Sequence, residues 1–229
     1  MSYAMQKSYR VFASRLAGLA LLSLATLLAG CGNYAWNQKL TVTVQTPNGE
    51  KSGSAVVAVN AWAGSAFAVG GTSQVKLRGE AVMVDLGDGR YLFALLDGNT
   101  VFLPGRTFSE MVPDGGEKAW RVLEGMRGQK RNVPGGHWPN LVTFGNPRDP
   151  KSMKAVADLP EDLGAGYTIK SISLEITDEP ATAGVIETVL PWVNSTPEPG
   201  FCAQARQSAT SADRFCDKVR SSSFVMKES

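Results

Sequence analysis

The sequence predicts a mainly β protein (α+β): an antiparallel sandwich or half-open barrel of about six to eight strands with two or three peripheral helices. Three observations carry this expectation. Apolar and polar residues alternate near the start of the domain, with Leu40, Val42 and Val44 on one side and Thr41, Thr43 and Gln45 on the other. Asp-Gly steps at 88–89 and 97–98 separate strongly apolar runs, and Asp-Gly between such runs is the strongest short-range hairpin signal. The 24 glycines and 12 prolines supply many turns.

Taken in order, Leu40–Val44 has the period of a half-buried strand. Pro47-Asn48-Gly49 turns the chain, and SAVVAVNAW (54–62) returns as the second arm of a hairpin. The small, Gly-rich stretch 63–74 reads as a loop or a close backbone approach. The runs KLRGEAVMVDL, RYLFALL and TVFL then predict a three-stranded meander. Its middle run is apolar almost throughout, as befits a central strand covered on both faces. Asp114 and Glu117 have the spacing of a capping box, with Asp in place of Ser or Thr. The helix they open runs to about Met126, with Ala119, Val122, Leu123 and Met126 on one face and Gly128 at its end. NLVTFG (140–145) is a further strand, and Asp149 before Pro150 suits the cap of a short helical turn. In YTIKSISLEITDE, Ile172, Leu174 and Ile176 share a face while Ile169 is out of phase, which predicts a bulge near Lys170-Ser171. AGVIETVLPWV reads as a short helix stopped near Pro191.

The first thirty residues have a different character. Lys7, Arg10 and Arg15 precede a charge-free stretch from Leu16 to Leu28, and Ala29-Gly30 supplies small residues before Cys31. A basic start, a short apolar run and a small-residue exit make a secretory signal. The 15 residues from Leu16 to Gly30 fall short of the roughly 20 that a transmembrane helix needs. Leu28-Ala29-Gly30-Cys31 resembles the lipobox of bacterial lipoproteins. That resemblance implies lipid on the Cys31 thiol, cleavage before Cys31 and acylation of the new amino group. Two or three buried chains anchor stably, where one anchors marginally. By the same resemblance Gly32, standing where an Asp would signal inner-membrane retention, favours the periplasmic face of the outer membrane in a host with two membranes. The expected organisation is a signal over 1–30, a lipidated tether over 31–38, a β-rich domain over 39–200 and a helical tail over 201–229. In the tether, Tyr34 and Trp36 either rest at the lipid interface or pack against the first strand.

Removing the signal leaves 199 of 229 residues, enough for one sizeable core. It also removes three of 23 basic residues and none of 21 acidic ones, so the remainder carries 20 against 21, a net −1. A basic footprint for nucleic acid is therefore missing, and no nucleic-acid partner is expected. With Cys31 committed to lipid, two cysteines remain, Cys202 and Cys216. An oxidising compartment permits their disulfide. A single straight helix from 202 to 216 would separate them by roughly 21 Å, against the ~5.5 Å a disulfide needs. The chain must therefore reverse, and QSATSAD (207–213) is the expected bend.

Motifs for chemistry are sparse. The chain has no G-x-S-x-G, so the usual nucleophile elbow is missing. GMRGQK has the wrong spacing for a P-loop. His137 is the only histidine, which excludes the common zinc sites with two or three His ligands; neither a metal nor a cofactor is expected. His137 reads either as a general base or as a loop residue beside Trp138 and Pro139. Glu175, Asp178 and Glu179 could bind a cation or serve glycoside chemistry, or stand as the solvated end of a strand. Arg148 with Asp149 reads first as turn chemistry and then as a ligand contact. His137, Trp138, Arg148, Asp178 and Glu179 are thus the ligand-contact candidates. Trp62, Trp120, Trp138 and Trp192 would make a sugar- or peptide-binding face only if two or more were exposed on one sheet.

The stretches KLTVTVQTPNGEKSGSAVVAV, WPNLVTFGNPRDPKSM and ISLEITDEPATAGVIETVLPW together resemble a family of bacterial exported proteins and lipoproteins. The resemblance implies export and carries over no catalytic position. The expected function is a lipid-anchored envelope protein with a non-enzymatic binding or scaffolding domain, partnered by the membrane and by an envelope protein or glycan. The alternative is an envelope hydrolase acting on peptidoglycan or glycan through carboxylates. A cleft with two carboxyl groups within about 10 Å of each other would favour the hydrolase. A chaperone or assembly accessory is a third class, one that would co-purify with an envelope protein.

Overall fold

A computed structural model describes residues 32–64, 73–195, 198, 200, 201, 215, 216 and 218–227. The chain divides into a body of residues 34–61 and 75–229 and a second unit, residues 1–33 and 62–74. Of the second unit little lies within the described residues; there, the Ala63 amide donates to the Gly32 carbonyl at 3.0 Å. Cys31 and Cys202 lie outside the described residues, as does the expected bend at 207–213. Among the described residues no helix is long and apolar enough to cross a membrane.

The fold is mainly β: among the described residues, ten antiparallel strands form two sheets that do not close into a barrel. The strands are β1 (Asn33–Thr46), β2 (Gly49–Trp62), β3 (Gln74–Glu80), β4 (Val82–Gly87), β5 (Arg90–Ala94), β6 (Lys130–Asn132), β7 (Leu141–Phe144), β8 (Met153–Val156), β9 (Thr168–Thr177) and β10 (Val225–Met226). The larger sheet runs β10-β3-β2-β1-β9-β6 and the smaller β4-β5-β7-β8. The count exceeds the expected six to eight because very short strands, β6 and β10, edge the larger sheet. The described helices are α1 (Leu103–Thr107), α2 (Gly116–Glu124), α3 (Leu159–Leu163) and α4 (Ile186–Val189).

β1 begins at Asn33, so the tether expected over 31–38 is corrected: from position 33 these residues belong to the sheet. Tyr34, Trp36, Gln38, Val42, Val44 and Thr46 are all buried. They share the even-numbered phase that one face of a strand requires. Gln38 is the polar member, and burial is tolerable because its amide is satisfied. Its Nε2 donates to the Thr100 carbonyl at 2.8 Å and its Oε1 accepts from Trp36 Nε1 at 3.1 Å. Across β1 and β9 the register runs Thr43 to Ser171 and then Val44 to Ile169. Lys170 is therefore the extra residue of the expected bulge. Ile172, Leu174 and Ile176 enter the core together.

The Asp88-Gly89 hairpin forms, with both residues at positive φ (54° and 70°), as a tight two-residue turn between twisted strands requires. β5 is central in its sheet, between β4 and β7, and Leu92 to Leu96 are all buried. The meander itself is corrected in two places. The run 76–86 is not one strand: it breaks at Ala81, where β3 of the larger sheet ends and β4 of the smaller begins. The Ala81 amide donates instead to the Phe224 carbonyl at 2.8 Å. TVFL is not a strand, because β7 already occupies the second edge of β5 and Pro104 opens α1. α2 forms where expected and buries Ala119 and Leu123, but Gly115 stands at its N-cap with no side-chain hydrogen bond. Asp149 does cap the turn at 150–152, accepting from the Lys151 amide at 2.9 Å.

Of the helical tail expected over 201–229, residues 202–214 lie outside the described residues. Residues 215–216 are helical and 221–223 form a 3₁₀ turn, but 225–226 form β10, which pairs with β3 through Val225–Glu80 and Met226–Gly79. Phe224, fully buried, packs its ring within 5.6–6.0 Å of the rings of Phe93, Phe144, Trp192 and Phe201. Such aromatic pairs add to the area they bury.

Candidate binding cleft

A cleft in the body has a volume of about 590 Å³. Val75 and Leu77, two apart on β3, face it together with Met226 of β10. Val101, in the turn after β5, supplies another apolar wall, and Asp97 and Lys218 are charged groups of its lining. The turn is tightly specified by hydrogen bonds. Asp97 Oδ1 accepts from the Asn99 amide at 2.8 Å, and its Oδ2 accepts from Asn140 Nδ2 at 3.1 Å. The Asp97 amide donates to Thr100 Oγ1 at 2.9 Å, and the Thr100 amide donates back to the Asp97 carbonyl at 3.0 Å. Asp97 thus acts as the acceptor that shapes the turn. Among the described residues it is the only carboxylate in the lining. An apolar floor with a few fixed polar groups is the composition of a ligand pocket, whether for binding or for catalysis.

A smaller cleft of about 210 Å³ lies between the start of β1 and the end of β9. It holds two carboxylates, Glu124 and Asp178, with Arg127. Each is already engaged: Glu124 Oε1 accepts from the Ala35 amide at 3.2 Å, and Asp178 ion-pairs with Arg127 at 2.5 Å.

The structure does not bring the five ligand-contact candidates into one site. His137 is exposed, at the end of a 3₁₀ turn over 135–137. Trp138 is 42% exposed and donates from Nε1 to the Val133 carbonyl at 3.1 Å. Arg148 is exposed, and its amide donates to Asn146 Oδ1 at 3.1 Å, the turn chemistry the sequence indicates. Glu179 pairs with Lys39 at 2.7 Å. Glu175 lies opposite Lys39 on β1 and Lys130 on β6. The acidic trio is therefore matched by cations along the sheet. None of these residues lines the large cleft. Among the described residues no three His, Cys, Asp or Glu side chains gather as metal ligands. The cleft residues escape sequence reading because they come from β3, the 97–101 turn and the tail, with no shared spacing. The pairing of Val75 and Leu77 was the only periodic signal.

One surface cluster joins α2 to the start of β1. Tyr34 Oη donates to Glu117 Oε1 at 2.6 Å, and Arg121 Nη2 reaches both Glu117 Oε1 at 3.0 Å and Tyr34 Oη at 3.1 Å. The Tyr34 hydroxyl first, and Arg121 second, hold the Glu117 carboxyl below the ordinary carboxylate range. Tyr34, as the largest influence, then Glu117, raise Arg121. A carboxyl depressed on folding contributes stability above its unfolded pKa and loses that contribution as pH falls through its folded pKa. Tyr34→Phe removes the first influence, so the Glu117 titration midpoint is expected to move back up. Carboxyl-carbon NMR would read this, and an unchanged midpoint would refute the assignment.

Compared with known proteins, the chain matches no protein-family model, no curated protein and no solved structure.

Proposed function

We propose that the chain is a lipid-anchored cell-envelope protein whose β-rich domain binds an envelope partner without catalysing a reaction on it. The observation that carries this reading is the 590 Å³ cleft, with aliphatic walls at Val75, Leu77, Val101 and Met226 and a carboxylate already committed to its own turn. Aliphatic walls suit the apolar side chains of a protein segment better than a hydroxyl-covered glycan. The anchor rests on the lipobox-like Leu28–Cys31, and the outer membrane's periplasmic face is its place in a host with two membranes. Cys202 and Cys216 are proposed as a disulfide pair. The burial of Cys216 supports this, and mass spectrometry of the unreduced protein should find the linked peptides.

The test has two arms. A clickable fatty acid fed to cells should label the wild type and not Cys31→Ser; equal label on both removes the anchor. A photo-crosslinker at Val75 in intact envelopes should give a discrete adduct, lost when Val101→Arg places a charge in the cleft. An adduct pattern identical to that from a crosslinker at exposed Asn48 removes the cleft.

A further inference from the structure

We propose that the end of the larger sheet carrying the start of β1, together with α2, rests directly on the phospholipid headgroup layer. This rests on Cys31 being the lipid anchor, and adds an orientation that anchoring alone does not supply.

The argument starts from chain length. β1 begins at Asn33, two residues after Cys31. Two residues of extended chain span at most ~7 Å. A headgroup layer is itself only about 5–8 Å deep, so an acylated Cys31 holds Asn33 at the outer boundary of that layer. A domain on a long tether could drift away from the surface; this one has no slack to do so.

The elements beside Asn33 then become the contact surface. Tyr34 bonds Glu117 and Ala35 bonds Glu124, so α2 lies alongside the first residues of β1 from one end of the helix to the other. Glu117, Lys118, Arg121, Glu124 and Arg127 are exposed there, and Trp120 is half-buried. With Asp178, which pairs with Arg127 as Glu117 does with Arg121, three cations interleave with three anions, matching a layer in which phosphates alternate with ammonium groups. Guanidinium forks suit phosphate oxygens, and a tryptophan suits the boundary between headgroup and water. Among the described residues the surface carries no polybasic run. Its attachment therefore follows from the short anchor, and charge only decides which face is tolerated.

β1 is 14 residues long, or roughly 45 Å as a strand. With the sheet standing on its Asn33 end, the Pro47-Asn48 turn lies far from the lipid.

The test uses the full lipidated chain in phosphatidylethanolamine–phosphatidylglycerol vesicles carrying a headgroup-attached acceptor dye. A fluorescent noncanonical residue replaces Lys118 in one preparation and Asn48 in another. Energy transfer from position 118 should exceed that from 48 several-fold. A Gly-Ser insert of about 20 residues after Gly32, spanning roughly 25 Å on average, should abolish the difference. Equal transfer from the two positions in the uninserted protein overturns the orientation. Flotation reads the anchor separately. If Cys31→Ser still floats with vesicles, the anchor reading fails and the proposal falls with it. If Cys31→Ser stays behind while transfer is equal, the orientation alone has failed.

Discussion

An alanine at position 53 is expected to cost the domain about 3 kcal/mol or more, although it adds one methyl group to a half-exposed strand. Its Cβ would stand 1.9 Å from the Met83 carbonyl oxygen, 2.7 Å from the carbonyl carbon and 3.2 Å from the Val84 Cα. All three are backbone atoms of β4. A long side chain could swing aside, but Met83 and Val84 are held in the ladder opposite Phe93 and Leu92. β2 of the larger sheet and β4 of the smaller meet backbone to backbone here, and any Cβ must push them apart. The strain would spread into β5, whose Leu92 and Phe93 are almost fully buried. Urea unfolding measures the effect, with Ser54→Ala at the neighbouring exposed position as a control expected within about 0.5 kcal/mol of wild type. A Gly53→Ala protein that unfolds at the wild-type midpoint would show that the close approach is not required.

Glu80→Ala should be comparably severe, about 3–5 kcal/mol, for a different reason. Glu80 is 1% exposed. Its carboxylate accepts from three consecutive backbone amides, those of Gly184, Val185 (3.0 Å) and Ile186 (3.1 Å). Truncation would strand three donors at the mouth of α4, the Ile186 amide buried and the other two part-buried, and leave a void beside β10. Glu80→Gln keeps one acceptor oxygen but turns an NH₂ group toward backbone donors, so it should fall between alanine and wild type. Hydrogen exchange locates the damage: amides 184–186 should lose protection in Glu80→Ala before the β1–β9 ladder does. Unchanged exchange there would mean that the carboxylate is not what holds the segment.

These two positions also mark where sequence reasoning ends. Local patterns were legible wherever one face of an element meets the core. The phase break at Ile169 located the bulge at Lys170, Asp88-Gly89 located a hairpin, and the apolar run 91–96 located a central strand. The even-numbered phase of Val42 and Val44 in fact extends back to Tyr34, but Gln38 interrupts it with a polar residue. The Thr100 carbonyl, 62 positions away, together with the Trp36 indole explains why that residue is inside. Glu80 hides in the same way: a carboxylate within an apolar run looks like a solvated edge until the amides more than a hundred residues later are seen to need it. The split of 76–86 between two sheets at Ala81 depends on Phe224, far along the chain. The cleft was illegible for the same reason, since its walls come from segments that share no period.

The position of Phe224 bears on when the protein can fold. Its ring joins Phe93, Phe144, Trp192 and Phe201, and the strand after it closes the edge of β3. β1 likewise waits for β9, more than a hundred residues downstream. A chain emerging from its N-terminus therefore has no finished nucleus to collapse onto until residues 224–226 arrive, and contacts of such long sequence separation form slowly. For a polypeptide that must be threaded through a narrow pore, as the proposed anchor demands, late closure is useful. On that proposal the chain would stay extended enough to pass, and the aromatic hub would complete itself only on the far side.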